Sequence, residues 1–300
     1  MNPRAQSHAL DSAADDSAGS FDGTAAAKTT RIDWLCDAPA RGSWNMALDE
    51  ALLLRAAEGG PPTLRLYGWE QPTLSLGYFQ RYADRQLHGR SLPCAAVRRT
   101  TGGGAILHDR ELTYSCALPS GHRLARRARD LYYAIHESIV VALAQLGFIA
   151  RLQSCGPCAS TSARNAANNH GCGATQSISV AKSAEMPPQP FLCFQRRTAG
   201  DVVLGEQKIA GSAQRRCRGA VLQHGSILIA QSAYAPELPG ISELQSRPIE
   251  AGELADPLLK ALCARLQAVF VPAHLSRETL DRAAAIEAMK FAADSWLRQR

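Results

Sequence analysis

A lysine beside small side chains is the first place where this sequence could do chemistry. Lys208 lies in GEQKIAGSAQRR, residues 205–216, just before Gly211, Ser212 and Ala213. Only five of the 33 basic residues are lysines, and lysine differs from arginine in shape and in how easily its charge is tuned. An ammonium with room beside it could neutralise a carboxylate, or polarise a thioester carbonyl as charge develops on oxygen. The alternative is an outward-facing lysine on a strand.

A run of three glycines is the second candidate. Gly102–Gly104 lie in RRTTGGGAILH, residues 98–108, after Arg98 and Arg99 and before His108. Consecutive glycines weaken a strand, so they need a reason. One reason is close approach, because backbone N–H groups can then contact a carboxylate, a phosphate or an acyl carbonyl. The flanking arginine and histidine favour such a ligand loop over a plain hairpin turn. The pattern is neither a P-loop nor a dinucleotide fingerprint, since GK[ST] and a following helix are missing.

Two further residues could belong to the same pocket. His224 precedes Gly225 in LQHGSIL, on what should be a strand next to that of Lys208; a satisfied core histidine is the alternative. Cys193 lies in FLCFQ, where an inert buried cysteine is the usual interpretation. A nucleophilic cysteine needs a positive charge or a helix end nearby to favour its thiolate. Lys208 follows fifteen residues later, so a turn could bring the two side chains to one cleft.

The segment 154–190 contains a possible zinc pattern. Cys155 and Cys158 form a C-x-x-C pair, and His170 and Cys172 follow. The H-x-C half has poor geometry for a structural site. Small and polar residues dominate the segment, which predicts a flexible insert with solvated cysteines rather than a metal site.

Composition limits the class of protein. Three hundred residues with 46% hydrophobic content can bury a substantial core. Nine scattered cysteines do not form a secreted disulfide framework. No apolar run reaches the roughly 18 residues of a membrane span, and residues 1–30 predict a disordered tail rather than a signal peptide. A net charge of +6 favours an acidic partner, but no basic cluster argues for nucleic acid. We therefore expect a cytoplasmic enzyme.

The pattern of elements must position these residues. Strands cluster and helices surround them without regular βα alternation, which predicts an α+β fold with a mixed or antiparallel sheet flanked by helices. We expect TLRLYGW and TLSLGYF to form adjacent strands. We also expect Ser43 to cap the helix that follows it, and the chain from Asp256 onward to be helical. Strands are predicted at 32–37, 63–69 and 73–79, within 94–118 and three times within 201–230; helices are predicted at 43–58 and 130–147.

Together these pieces resemble the lipoate–protein ligase and octanoyltransferase family, whose catalytic domain is shared with biotin protein ligases. Within it, the sequence is most similar to LipM-type octanoyltransferases, because Cys193 and Phe194 occupy the place of that subtype's acyl-accepting cysteine. The resemblance covers residues 31–300 apart from the insert, and predicts one catalytic domain there. The matching stretches are NMALDEALL (45–53), QPTLSLGYFQ (71–80), RRTTGGGAILHDRELTYS (98–115), CF (193–194), KIAGSAQRR (208–216) and LQHGSIL (222–228).

The resemblance implies an activity. Cys193 would take an octanoyl group from octanoyl-acyl carrier protein as a thioester and pass it to a lysine of a lipoyl domain or of glycine cleavage H protein, with Lys208 at the reactive carbonyl. No cofactor and no metal would be needed. The residues expected to bind substrate are Arg99, Thr101, Gly102, Gly103, Gly104, His108, Gly211, Ser212, Ala213, His224 and Gly225.

Three alternatives remain open. An ATP-dependent lipoate–protein ligase would use ATP and Mg²⁺, and Cys193 would then be ordinary packing. A lipoyl or octanoyl amidotransferase would use the same cysteine with another protein as donor. A non-catalytic acyl-binding or carrier-binding module would keep the pocket and show no turnover.

Overall fold

A large mixed sheet and a small one form the framework of the protein. The computed structural model describes residues 30–154 and 190–300. In these two ranges the strands are β1 (Thr30–Cys36), β2 (Thr63–Tyr67), β3 (Thr73–Leu76), β4 (Ala95–Arg98), β5 (Ile106–His108), β6 (Glu111–Leu118), β7 (Ala150–Leu152), β8 (Val202–Leu204), β9 (Gln207–Cys217), β10 (Ala220–Leu228) and β11 (Ala268–Pro272). The α-helices are α1 (Gly42–Ala57), α2 (Ala128–Gln145), α3 (Ile241–Leu244), α4 (Ala251–Leu266), α5 (Arg277–Ile286) and α6 (Asp294–Leu297).

The eight-stranded sheet has the order β11-β1-β2-β6-β10-β9-β8-β7. Strands β11, β1 and β2 run parallel to one another, and the remaining neighbours are antiparallel. The three-stranded sheet has the order β4-β3-β5. Two 3₁₀ turns, Tyr82–Leu87 and Gly89–Ser91, follow β3, and a third, Cys193–Gln195, precedes β8. A π-helical turn, Glu287–Phe291, follows α5.

Helices cover both faces of the large sheet. Leu48 and Leu52 of α1 lie four residues apart, hence on one helix face, and pack with Leu35 and Leu222 of the sheet. On the opposite face, α2 and α4 bury apolar rows against strand residues such as Leu66. Each fully buried leucine contributes about 1.5–3 kcal/mol relative to an exposed one. The predicted α+β class with a mixed sheet flanked by helices is confirmed.

Three local predictions were wrong. Ser43 does not cap α1: it lies inside the helix and its hydroxyl donates to Glu287 Oε1 at 2.6 Å. Strands β2 and β3 are not adjacent, because the chain leaves the large sheet after Tyr67 and β3 pairs with β4 and β5. The C-terminal region is not wholly helical. It contains β11, which starts after Gln267 takes a left-handed conformation with φ 50°.

Parts of the predicted organisation lie outside the described residues. These are residues 1–29 of the predicted tail and residues 155–189 of the predicted insert, with the cysteines and histidine of the zinc pattern. Thr30, assigned to the tail, is the first residue of β1. In the described part of the chain, the helices are all too short or too polar to span a membrane.

Candidate active site

A cavity lined mainly by apolar surface opens between the two sheets. Its walls come from the end of β2, the glycine loop, β9, β10 and the turn at Cys193. Ten of the predicted site residues line it: Arg99, Gly102, Gly103, His108, Cys193, Gly211, Ser212, Ala213, His224 and Gly225. The other three, Thr101, Gly104 and Lys208, contact these lining residues from behind. Residues far apart in sequence therefore meet at one pocket.

Cys193 and Lys208 form the centre of the site. The Nζ of Lys208 lies 3.9 Å from Sγ of Cys193. The backbone N–H of Cys193 donates to the carbonyl of Ala105 at 2.7 Å, which fixes the turn against the glycine loop. The Lys208 side chain is buried. A buried ammonium in this position can face negative charge that develops on the oxygen of an acyl group bound to the sulfur.

The Lys208 ammonium forms an ion pair with Asp201, a residue that the sequence analysis did not predict as part of the site. Asp201 Oδ2 lies 2.9 Å from Lys208 Nζ, and both side chains are buried. The carboxylate also accepts hydrogen bonds from the backbone N–H of Thr198 at 2.7 Å and from the hydroxyl of Tyr132 at 3.0 Å. In the sequence, Asp201 comes directly before the apolar run VVL of β8. Burying a charge at such a position costs free energy unless the charge is paired, so this placement could have indicated a buried ion pair.

The small residues after Lys208 have a steric purpose. A Cβ at Gly211 would lie 2.6 Å from Cε and 2.8 Å from Nζ of Lys208. The register between β8 and β9 also shifts here, because Val202 pairs with Ala210 while Val203 pairs with Lys208. This bulge re-aims the lysine side chain relative to regular alternation. Gly211 therefore leaves the space through which the lysine reaches Cys193.

Arg99 holds the glycine loop in place. Its guanidinium is buried and donates to the carbonyls of Ser75 at 2.7 Å and Gly104 at 2.9 Å. Burial lowers the pKa of Arg99 to about 10. Gly103 has φ +97°, a conformation that favours glycine. A Cβ at Gly104 would approach the Cys193 backbone nitrogen to 3.1 Å, so this glycine allows the cysteine turn to pack against the loop.

Arg98 has a different function from its neighbour. It turns away from the cavity and donates to the carbonyl of Leu297 at 2.7 Å and to that of Gln80 at 2.7 Å. It thus ties the end of the chain to the small sheet.

His108 forms an aromatic and polar end of the cavity. Its ring stacks on Trp69 with centroids 3.8 Å apart. Its Nε2 lies 2.6 Å from the Ser75 hydroxyl and its Nδ1 lies 2.6 Å from Glu111 Oε1. Burial lowers the pKa of His108, although Glu111 opposes the shift. Trp69 and Glu111 were not among the predicted site residues.

His224 connects the cavity to a buried ion pair. Its Nε2 lies 2.8 Å from the Thr101 hydroxyl, and its Nδ1 lies 3.1 Å from Asp49 Oδ2. The guanidinium of Arg65 donates to Asp49 at 3.1 Å. Burial would raise the pKa of Asp49, but His224 and Arg65 outweigh it and hold the pKa below its ordinary value. Asp49 lies in the apolar stretch NMALDEALL of α1, and a carboxylate within such a stretch could have indicated a buried, paired charge.

Comparison with known proteins identifies the family. The family described as "Lipoyl protein ligase A/B catalytic domain" matches residues 41–235. The chain belongs to this family. The resemblance inferred from the motifs is confirmed.

Curated relatives match most of the chain. A protein from Kyrpidia tusciae is 32% identical over 85% of this chain and 93% of its own length. One from Bacillus subtilis is 30% identical over 86% of this chain and 94% of its own length. Both are named octanoyltransferase LipM.

Solved structures support the same fold. A putative lipoate protein ligase from T. acidophilum superposes with a TM-score of 0.67 at 20% identity, over 90% of this chain and 100% of its own. A lipoate-protein ligase A bound with ATP gives a TM-score of 0.61 at 20% identity, over 90% of this chain and 98% of its own. At this identity the likeness shows the catalytic-domain fold of the family.

Proposed function

We propose that this chain is an octanoyl-[acyl carrier protein]:protein N-octanoyltransferase of lipoate biosynthesis. The observation that carries the proposal is the buried Lys208 ammonium 3.9 Å from the sulfur of Cys193, which itself lines a mainly apolar cavity. The relatives named octanoyltransferase, which match over most of both chains, support the same activity.

The first half-reaction moves the acyl group to the enzyme. The Cys193 thiolate attacks the carbonyl carbon of the octanoyl thioester on acyl carrier protein. A new carbon–sulfur bond forms, the old one breaks, and the electron pair leaves with the carrier's sulfur, which takes up a proton. One thioester replaces another, so the exchange is nearly even in free energy. The Lys208 ammonium faces the carbonyl oxygen as negative charge develops on it.

The second half-reaction delivers the acyl group to a protein. The ε-amine of a lysine on a lipoyl domain or on glycine cleavage H protein attacks the Cys193 thioester. A carbon–nitrogen bond forms, the carbon–sulfur bond breaks, its electron pair returns to the Cys193 sulfur, and the amine proton passes to solvent. An amide is more stable than a thioester, so this step runs downhill and needs no ATP, metal or other cofactor. The net charge of +6 suits acidic carrier and acceptor proteins.

A second candidate is an ATP-dependent lipoate–protein ligase. It is favoured by the fold neighbours, one of which is a lipoate-protein ligase A bound with ATP. In that reaction the glycine loop and Lys208 would hold an acyl-adenylate with ATP and Mg²⁺ as cosubstrates, and Cys193 would serve only in packing. A lipoyl or octanoyl amidotransferase would use Cys193 in the same way but take the acyl group from another protein.

The intact mass of the purified protein separates these functions. After incubation with octanoyl-acyl carrier protein and no ATP, we expect a gain of one octanoyl group that hydroxylamine removes. Cys193→Ala should show no gain, whereas Cys263→Ala, which removes a partly buried cysteine of α4, should behave as wild type. Full transfer by Cys193→Ala would refute the acyl-enzyme. Modification of a lipoyl domain only when lipoate, ATP and Mg²⁺ are supplied would establish the ligase. Acylation only from an octanoylated H protein would establish the amidotransferase.

A further inference from the structure

A second, open cleft lies beside β9 and shares one lining residue with the acyl cavity. Tyr132 and Tyr133 of α2 form one wall, and Thr198 and Ala199, from the loop before β8, form another. Ser212 lines both this cleft and the acyl cavity. The cleft therefore gives a second approach to the site, separate from the cavity that we assign to the acyl chain.

The two spaces can meet because β9 is only partly covered. Strand β8 pairs with β9 as far as Ala210, so in the described part of the chain β9 has no neighbouring strand on that side from Gly211 onward. Ser212 is the next residue after Gly211, whose Cβ position lies 2.8 Å from the Lys208 ammonium. The wall of the cleft also contacts the counterion of Lys208, because the Tyr132 hydroxyl donates to Asp201. A group bound in the cleft would lie beside the reacting centre.

Hydrogen bonds determine what Ser212 can bind. His136 Nδ1 lies 2.6 Å from the carbonyl oxygen of Gly200, which can only accept, so Nδ1 carries the proton. Burial lowers the pKa of His136 to about 4, so the ring is neutral and its Nε2 accepts the Ser212 hydroxyl proton at 2.5 Å. Tyr114 also contacts the Ser212 oxygen and, with the serine proton already donated, is the donor. Any further partner of Ser212 must therefore donate a hydrogen bond.

The remaining surface of the cleft suits an alkyl amine. A Cβ at Gly200 would lie 3.0 Å from Tyr132 and 3.2 Å from Tyr133, so this glycine lets both rings pack against the floor. Tyrosine rings accept both the aliphatic stem and the ammonium of a lysine. The exposed Arg129 lies at the rim, 5.4 Å from the centroid of the Tyr133 ring, where it can attract acidic residues around that lysine.

We propose that this cleft binds the acceptor lysine side chain, with its stem against the tyrosine rings, which contact each other edge to face with centroids 6.0 Å apart, and its amine donating to Ser212 Oγ. The inference rests on the proposed function and adds the path of its second substrate. The acyl chain and the amine then occupy two different spaces that meet at Ser212. The chemical class of the ligand is a primary alkyl amine on an acidic protein surface.

The two half-reactions test the cleft separately. Enzyme preloaded from octanoyl-acyl carrier protein is freed of donor and mixed with apo lipoyl domain, and loss of the octanoyl mass is followed. Tyr133→Ala should raise the lipoyl-domain concentration for half-maximal transfer by about threefold to tenfold. In Tyr133→Phe, which keeps the ring, that concentration should equal the wild-type value. Ser212→Ala should slow transfer by about tenfold. The control is Arg127→Ala, a 79% exposed side chain at the start of the same helix, which should alter neither half-reaction.

The ratio of the two effects decides the outcome. A loss in transfer that exceeds the loss in acylation supports the proposal. Equal losses, or a loss confined to acylation, would overturn it and assign the cleft to the pantetheine arm of the donor or to structure alone. Unchanged transfer in Tyr133→Ala and Ser212→Ala would also overturn it. If wild type forms no acyl-enzyme, the proposed function fails instead. The cleft is then tested through the KM for lipoyl domain in the ATP-dependent reaction, where an unchanged KM in Tyr133→Ala refutes it.

Discussion

Replacing Asp201 by asparagine should weaken both the fold and the chemistry. The Asp201 and Lys208 side chains are 2% and 5% exposed, and their charged atoms lie 2.9 Å apart. Removing one partner of a buried pair costs about 3–5 kcal/mol, because the other charge remains buried without compensation. Asparagine keeps the shape and one oxygen that can accept from Tyr132 or Thr198. We therefore expect the lower end of the range, about 3 kcal/mol of unfolding free energy.

The catalytic effect follows from the position of the ammonium. Without its counterion, Lys208 is no longer held near the Cys193 sulfur, and the ammonium stabilises charge on the acyl oxygen less well. A loss of about 1.4 kcal/mol of transition-state stabilisation slows a reaction tenfold. We expect acylation of Cys193 in Asp201→Asn to slow by at least about that factor.

Urea denaturation and the initial rate of octanoylation, followed by intact mass, measure the two effects. The matched control is Glu206→Gln in the β8–β9 turn, where the carboxylate is exposed and pairs with Arg151 and Arg197. Exposed pairs contribute little, so the control should resemble wild type in both assays. If Asp201→Asn were as stable as this control and acylated at the wild-type rate, the ion pair would not hold the reactive lysine and our reasoning would be wrong.

Two further predictions concern steric fit and pH. Gly211→Ala should slow acylation of Cys193 about tenfold, because its Cβ would lie 2.6 Å from Lys208 Cε and overpacking costs about 1–3 kcal/mol; Gly252→Ala in α4, with no atom within 4 Å of its Cβ, is the control. His136 binds its proton more weakly when folded, with a pKa of about 4 against 6.5, so stability should fall as pH drops below 6.5. Between pH 7 and pH 5 this difference in proton binding should lower the free energy of unfolding by about 2 kcal/mol. Urea unfolding at both pH values should show a smaller loss in His136→Gln, and an equal loss would contradict this assignment.

The sequence motifs predicted the reactive residues Cys193 and Lys208 but not the buried carboxylates, Asp201 and Asp49, that pair with site residues. Glycines beside Lys208 and beside Arg99 indicated close approach, because a missing side chain is a local property that sequence shows directly. The structure adds that Gly211 makes room for the lysine itself and that Gly104 makes room for the cysteine turn.

The counterions could not be assigned from sequence. Asp49 contacts His224 across 175 positions; the apolar stretch around Asp49 indicates that the carboxylate needs a partner but not which residue that partner is. His136 contacts Ser212 in the same way, from a helix that otherwise has an ordinary apolar pattern. Strand β11 was missed for a related reason, because its five residues become a strand only by pairing with β1 at the sheet edge.

The chain between β7 and the cysteine turn is anchored at both ends. On one side, Gln153 exchanges backbone hydrogen bonds with Gly200 and Asp201 at 2.9 and 2.7 Å. On the other, Ala105 donates to the carbonyl of Phe191 at 3.0 Å and accepts from Cys193 at 2.7 Å. Backbone hydrogen bonds made by described residues alone therefore hold the cysteine turn in register with β7 and with the glycine loop, whatever sequence joins Ser154 to Pro190.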